Sequence, residues 1–101
     1  MKETITKIIK GPFPKKYTAY IKDKKTKKTR KLHFGDCRYQ QYKDRTSLQL
    51  YKHKNHNTRK RMQNYYSRHS GMKHRGSAIK KEKAESKGYY TPKILSHIYL
   101  W

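Results

Sequence analysis

Acidic residues and aliphatic bulk are what this sequence has least of. It contains no valine and only 6 aspartates and glutamates against 28 lysines and arginines, for a formal net charge of +22. Ten of its apolar residues are tyrosines, whose hydroxyl groups need partners, so we expect a shallow, Tyr-rich core. At 101 residues the chain has room for one small domain.

The scarcity of cysteine and of long apolar runs constrains the cellular compartment that we expect for the protein. Cys37 is the only cysteine, which excludes an intrachain disulfide and indicates a reducing or redox-indifferent compartment. No apolar run approaches the roughly 20 residues of a membrane-spanning helix, and the N-terminus lacks the pattern of a signal peptide. We therefore expect no membrane span and no secretion.

The acids are too few and too scattered to build a hydrolytic site. None lies between residues 45 and 81. A nuclease or hydrolase needs carboxylates that bind metal or move protons together. The chain also has no phosphate-cradling glycine loop and no evident nucleophile with a base and an orienting group. We predict no enzymatic activity, no cofactor and no small-molecule substrate.

A zinc site is the sharpest chemical alternative. Its four possible ligands are His33, Cys37, His53 and His56. Their spacing is compatible with zinc, but one cysteine without a Cys-x-x-Cys pair is a poor match to the usual ligand sets. We interpret them as a hairpin histidine, a small thiol and two loop histidines, and predict no metal site.

Alternating residues and turn signals predict antiparallel strands at the start of the chain. A short strand around residues 5–9 should end at a proline corner, with Phe13 tucked beneath it. Lys16–Lys22 and Lys27–Phe34 should form a hairpin around a turn at residues 23–26.

Helix signals dominate the chain after the hairpin. Cys37–Tyr42 is consistent with one helical turn, Ser47–Tyr51 is ambiguous between strand and helix, and His53–His56 reads as a loop. The central helix should run between Asn57 or Thr58, as the cap, and Gly71.

Two more helices should follow the central one. Ser77 can cap a helix over Ala78–Lys87 that Gly88 ends, and Thr91 with Pro92 can start another. The last helix carries most of the apolar side chains, namely Ile94, Leu95, Ile98 and Trp101. We expect it to pack on the hairpin and on the central helix, against Tyr17, Ile21, Leu32, Phe34, Met62 and Tyr65.

These elements predict an α+β fold in one small domain. Its parts would be an N-terminal strand with a proline-rich corner at 1–14, a β-hairpin at 15–35 and a helical part with two or three short helices at 36–101.

Cations interleaved with aromatic residues are the remaining functional signal. Arginine and lysine neutralise phosphates, while tyrosine rings stack on bases. The candidate polyanion-binding residues are Lys24, Lys25, Lys27, Lys28 and Arg30 on the hairpin, Arg59, Lys60, Arg61 and Arg68 on the central helix, and the rings of Tyr20, Tyr39, Tyr42 and Tyr66. An acidic protein surface would suit the same cations.

Four short motifs in fixed order resemble a family of short basic proteins encoded by giant and other nucleocytoplasmic large DNA viruses. They are Lys-Lys-Tyr-Thr-Ala-Tyr-Ile at 15–21, Leu-His-Phe-Gly at 32–35, Tyr-Lys-His-Lys at 51–54 with Tyr65, Arg68 and His69, and Tyr-Thr-Pro-Lys-Ile-Leu-Ser-His-Ile-Tyr-Leu-Trp at 90–101. The resemblance assigns no activity and no catalytic residue.

What the resemblance implies is a viral origin and a place in the virus particle, or in the host cytoplasm at the virus factory, or in the nucleus during assembly. Two functions follow. The first is a minor capsid or cement protein whose cations meet acidic surfaces of larger capsid proteins. The alternative is a protein that binds or condenses DNA or RNA.

Overall fold

The computed structural model describes residues 1–101 and confirms the α+β class, with an antiparallel sheet followed by helices. Its elements in chain order are β1 (Glu3–Lys10), β2 (Lys15–Asp23), β3 (Thr29–Asp36), α1 (Arg59–Ser70), α2 (Arg75–Glu85) and α3 (Pro92–Tyr99). A short 3-10 helix, Lys52–Lys54, lies in the loop between β3 and α1. None of the helices combines the length and apolarity needed to cross a bilayer.

The three strands pair in the order β1-β2-β3. Tyr17 lies opposite Phe34 and Ala19 opposite Leu32. Because side chains alternate along a strand, the residues Tyr17, Ala19 and Ile21 share one face and are all fully buried. The predicted hairpin is confirmed.

Helix α3 covers this buried face. Leu95 and Leu100 join the sheet residues in one apolar cluster, which confirms the expected packing. Thr91 begins the helix as predicted, since its hydroxyl accepts the backbone N–H of Ile94 at 3.2 Å. Ile98 is only half-buried, and the imidazole of His97 is fully buried instead.

A second, smaller cluster joins α1 to α2 and α3. It consists of Tyr65, Tyr66 and Ala78. The indole ring of Trp101 stacks on the ring of Tyr65, with centroids 4.3 Å apart and 4° between the planes. The two clusters together give the shallow, tyrosine-rich interior that the composition predicts.

The ends of α1 follow the sequence signals only in part. Gly71 ends the helix in the left-handed region, with φ 68°, as predicted. Thr58 occupies the cap position, but its hydroxyl donates to the carbonyl of His56 and caps no N–H group. Helix α2 begins at Arg75 instead of after Ser77, because the carbonyl of His74 accepts the backbone N–H of Ala78 and closes a first turn that includes Gly76.

Two local predictions are wrong. Phe13 is 81% exposed, and the corner is closed by backbone hydrogen bonds from Gly11 to Lys16 and from Lys15 to Pro12 instead of by packing of its ring. Cys37–Tyr42 is a turn followed by extended chain, since the backbone of Gln41 bonds with Lys54 and His56 across the loop. Ser47–Tyr51 forms bends and a turn that lead into the 3-10 helix.

Candidate nucleic-acid interface

The hairpin loop carries the first group of predicted cations. Lys24, Lys25, Lys27 and Lys28 are all exposed. Asp23 shapes the loop, because its Oδ1 accepts the backbone N–H groups of Lys25 and Thr26 at 2.8 Å each. These bonds, that of Thr26 first, lower the pKa of Asp23. The only acid of the loop thus serves to form the turn.

Arg30, predicted to contact a polyanion, is already bound to an acid. Its guanidinium donates two hydrogen bonds of 2.8 Å to the carboxylate of Glu3, which is only 4% exposed. It also donates to the carbonyl of Tyr90 at 2.7 Å. The hydrogen bond from Arg30 is the main cause that lowers the pKa of Glu3. Arg30 therefore ties β3 to β1 and to the segment just before α3, and its role in binding a polyanion stays a prediction.

The predicted tyrosine contacts have different outcomes. The prediction that Tyr66 offers an accessible ring is wrong, because it is fully buried and its hydroxyl donates to the carbonyl of His97 at 2.9 Å. Tyr20 is half-buried, with the Lys31 ammonium 5.4 Å from its ring centroid. Tyr39 is 66% exposed and is the most accessible tyrosine ring of the protein. Tyr42 is half-buried.

Helix α1 distributes its predicted cations over two concavities. Arg61 and Arg68 face a groove between α1, α3 and the end of β3. Arg59 faces a separate cleft beside the start of α2. Lys60 is exposed and lines neither. The angular step of a helix explains this division, since residues one or two apart point in different directions.

We call the groove that contains Arg61 and Arg68 the aromatic groove. Its volume is about 540 Å³. Its wall includes the cationic and aromatic side chains of Lys15, Tyr39, Arg61, Arg68, Lys93 and Trp101. The side chains of Lys15 and Arg68 make no hydrogen bond or ion pair, whereas the Arg61 guanidinium donates to the side-chain oxygen of Gln40 at 2.9 Å.

The electrostatics of the aromatic groove favour an anion. Asp36 is the only acid on its wall, and the guanidinium of Arg38 binds that carboxylate at 2.7 Å and holds its pKa at about 2. Lys16 lies nearly buried at the base of the groove and donates to the side-chain oxygen of Gln41. Burial lowers the pKa of Lys16 to about 8, so its ammonium is mostly charged at neutral pH and adds to the positive potential.

The hairpin loop and the aromatic groove are two separate cationic surfaces. The loop precedes the first residue of β3, Thr29, and the groove begins at its far end, at His33 to Asp36. From Lys28 to Phe34 the strand covers roughly 20 Å at about 3.4 Å per residue. The cations predicted as one set of polyanion-binding residues thus lie near opposite ends of β3.

The four possible zinc ligands lie in different environments. His33 forms a 2.7 Å hydrogen bond with the hydroxyl of Thr18, His53 is exposed, and Cys37 is half-buried. His56 accepts the backbone N–H of Thr58 at 3.0 Å. No group of three or more histidine, cysteine or acidic side chains is arranged to hold a metal ion. The absence of metal binding stays a prediction.

A buried polar network joins the three helices, and no pattern in the sequence predicted it. The hydroxyl of Ser70 donates to Glu82 at 2.9 Å and lies 2.8 Å from Nε2 of His97. The hydroxyl of Tyr65 lies 2.9 Å from Nδ1 of the same ring. Burial lowers the pKa of His97 to about 4. Because Ser70 and His97 are buried and line none of the concavities, we interpret the network as structural.

No protein-family model, curated protein or solved structure matches the chain. The function is therefore argued from the geometry of its surfaces.

Proposed function

We propose that the protein binds single-stranded nucleic acid in the aromatic groove. The observation that carries this proposal is that the exposed ring of Tyr39 and the unpaired cations Lys15 and Arg68 line the same groove. Proteins that bind single strands combine a cationic groove for the backbone with aromatic rings for the bases. Arg68 and Lys15 neutralise phosphates in this proposal, and Tyr39 stacks on a base.

Titration with an oligothymidylate, followed by the fluorescence of Trp101, the only tryptophan, tests the proposal. Arg68→Gln should weaken binding and reduce the log–log salt slope by about 0.7 for the lost phosphate contact. Tyr39→Ala should weaken binding about 5- to 100-fold and leave the slope unchanged, because stacking is independent of counterion release. Lys80→Gln is the matched control, since it removes one exposed charge from α2 outside the groove.

Two results would contradict the proposal. One is a loss of affinity for Arg68→Gln no larger than that for Lys80→Gln. The other is equal affinity and salt slope for the folded protein and for a scrambled chain of the same composition, since binding would then come from net charge alone.

The second candidate function is the role in the virus particle that the resemblance implies. The exposure of Phe13, 81% between two prolines, favours it, because a rigid apolar projection suits a pocket on a larger subunit. The cations would then pair with acidic side chains of that subunit. Quantitative mass spectrometry of purified particles, divided into shell and nucleoid fractions, tests this role, and enrichment in the nucleoid alone would contradict it.

A further inference from the structure

A second concavity, on the other side of α1, contains positive charges without any acid. We call it the arginine cleft and define it by Arg45, Arg59, Lys73 and Arg75. Its volume is about 600 Å³, and no aspartate or glutamate lies on its wall. The first turn of α2, which begins at Arg75, also has no acidic residue and no side chain that caps its N–H groups.

Two of these arginines have buried nitrogen atoms without partners. They are Nη1 of Arg45 and Nε of Arg75. Arg75 satisfies one other nitrogen by donating to the carbonyl of Ile98 at 2.8 Å, and the Arg45 guanidinium lies 5.6 Å from the ring centroid of Tyr42. A buried donor attached to a charged group is costly when it has no acceptor. Neither of these two nitrogen atoms has an acceptor within the protein.

The charges in the cleft repel one another. Burial, with the neighbouring charge of Arg75 as the second cause, lowers the pKa of Arg45. None of the four ion pairs of the protein involves Arg45, Arg59, Lys73 or Arg75. An anion in the cleft would relieve this repulsion, because it would lie among four cations that have no acid beside them.

We propose that the arginine cleft binds an oligophosphate, either free or as the phosphate chain of a nucleotide. Arginine matches phosphate oxygens because its planar guanidinium presents several donors in fixed geometry. Arg45 and Arg75 hold the ligand at the wall, and Arg59 and Lys73 neutralise it from α1 and from the loop before α2. Four cations suit a chain of phosphates better than one orthophosphate. This site is separate from the aromatic groove and does not depend on the nucleic-acid proposal.

Isothermal titration calorimetry of the full chain tests the site with three probes at one salt concentration: tripolyphosphate, orthophosphate and adenosine triphosphate. We expect one tripolyphosphate per protein, with orthophosphate bound at least about tenfold more weakly. Equal binding of tripolyphosphate and adenosine triphosphate would identify the phosphate chain as the recognised group. Tighter binding of the nucleotide would add recognition of its base or sugar to the same site.

Arg45→Gln should weaken tripolyphosphate binding about tenfold or more, because a charge-assisted donor is lost. Arg45→Lys keeps the charge and loses the planar fork, so its affinity should fall between those of Arg45→Gln and the wild type. Lys80→Gln, which removes an exposed charge elsewhere on α2, should change the affinity less than about twofold. Equal effects of Arg45→Gln and Lys80→Gln would overturn the proposal.

Two further variants keep the test decisive. If Arg45→Gln does not fold, Arg59→Gln replaces it, since the side chain of Arg59 is exposed and makes no hydrogen bond. The same loss of affinity is expected. Arg68→Gln, in the aromatic groove, should bind tripolyphosphate like the wild type. A loss of tripolyphosphate binding in Arg68→Gln would place the ligand in the groove and overturn this proposal alone.

Discussion

The hydroxyl of Tyr17 donates a 2.5 Å hydrogen bond to Oδ2 of Asp44, and this bond joins the buried face of the sheet to the loop that follows it. Asp44 is only 2% exposed. Its carboxylate also accepts the backbone N–H and the hydroxyl of Thr46, and the backbone N–H of Tyr51. One carboxylate thus fixes the irregular segment between β3 and α1.

Asp44→Asn should therefore lower the free energy of unfolding by about 2–4 kcal/mol, because an amide cannot accept all of these bonds. Urea denaturation at pH 7 measures the change. Glu85→Gln is the control, since the Glu85 side chain is 60% exposed and its one ion pair is 4.0 Å long, and its effect should stay within about 0.5 kcal/mol. Equal effects of the two variants would show that Asp44 does not organise the loop.

His97 should make stability depend on pH between about 6.5 and 4. Burial lowers its pKa to about 4, with Glu82 raising it and His69, Lys93 and Arg75 lowering it further. In this range the unfolded chain binds a proton that the folded protein excludes, so stability is lost as the pH falls and is fully present above about 6.5. The contribution is up to about 3 kcal/mol.

Urea denaturation of the wild type, His97→Gln and His53→Gln between pH 7.5 and 5 measures this dependence. We expect a flatter profile for His97→Gln alone, because His53 is exposed. A wild-type slope that survives in His97→Gln would assign the dependence to other groups.

Gly35→Ala should destabilise the protein by about 2 kcal/mol or more, for two reasons. Gly35 has a φ of 76°, and an added Cβ would lie 2.8 Å from Cδ1 of buried Leu100 and 3.1 Å from Cβ of Lys16. Gly76→Ala is the matched control, since nothing lies within 4 Å of its Cβ position, and alanine in a helix should add up to about 1 kcal/mol. Thermal melting should show a lower melting temperature for Gly35→Ala and an unchanged or higher one for Gly76→Ala. A neutral Gly35→Ala would disprove the close approach of Leu100.

The two Arg–carboxylate pairs should differ in their measured coupling. The pair between Arg30 and Glu3 involves a carboxylate that is 4% exposed, whereas the side chains of Arg38 and Asp36 are 61% and 25% exposed. Double-mutant cycles with Gln or Asn replacements should give about 1.5–3 kcal/mol for the first pair and a clearly smaller coupling for the second, because water screens an exposed pair. Similar coupling in both cycles would contradict the structural role given to Arg30.

The parts of the fold that the sequence predicted are those with local signals. The alternation around Ala19 identified the hairpin, Thr91 and Pro92 located the start of α3, and Gly71 the end of α1. Each signal acts within a few residues, through side-chain alternation, a cap or a permitted φ.

The parts of the fold that the sequence did not predict depend on contacts between residues far apart in the chain. Tyr65 and Tyr66 are neighbours on α1, and both are buried because they pack with Ala78 of α2 and their hydroxyl groups meet His97 of α3. His97 is buried because hydroxyl groups of Tyr65 and Ser70 meet its ring. The angular step of α1 separates Arg59 from Arg61 and Arg68, but the two concavities that these cations line are formed with other parts of the chain, which the local sequence does not indicate.

The first strand is held in place by residues near the far end of the chain. The backbone N–H of Lys2 donates to the carbonyl of Gly88 at 2.8 Å, and that of Tyr90 donates to the carboxylate of Glu3 at 2.7 Å. During synthesis β1 can pair with β2 once Asp23 has been made, but its contacts with Gly88 and Tyr90 form only later, and Leu100 is made last of the buried residues that cover the sheet face around Tyr17. At about 5–20 residues per second the nascent chain spends several seconds with an unprotected sheet face, which is the period when a chaperone or an early polyanion would protect it most.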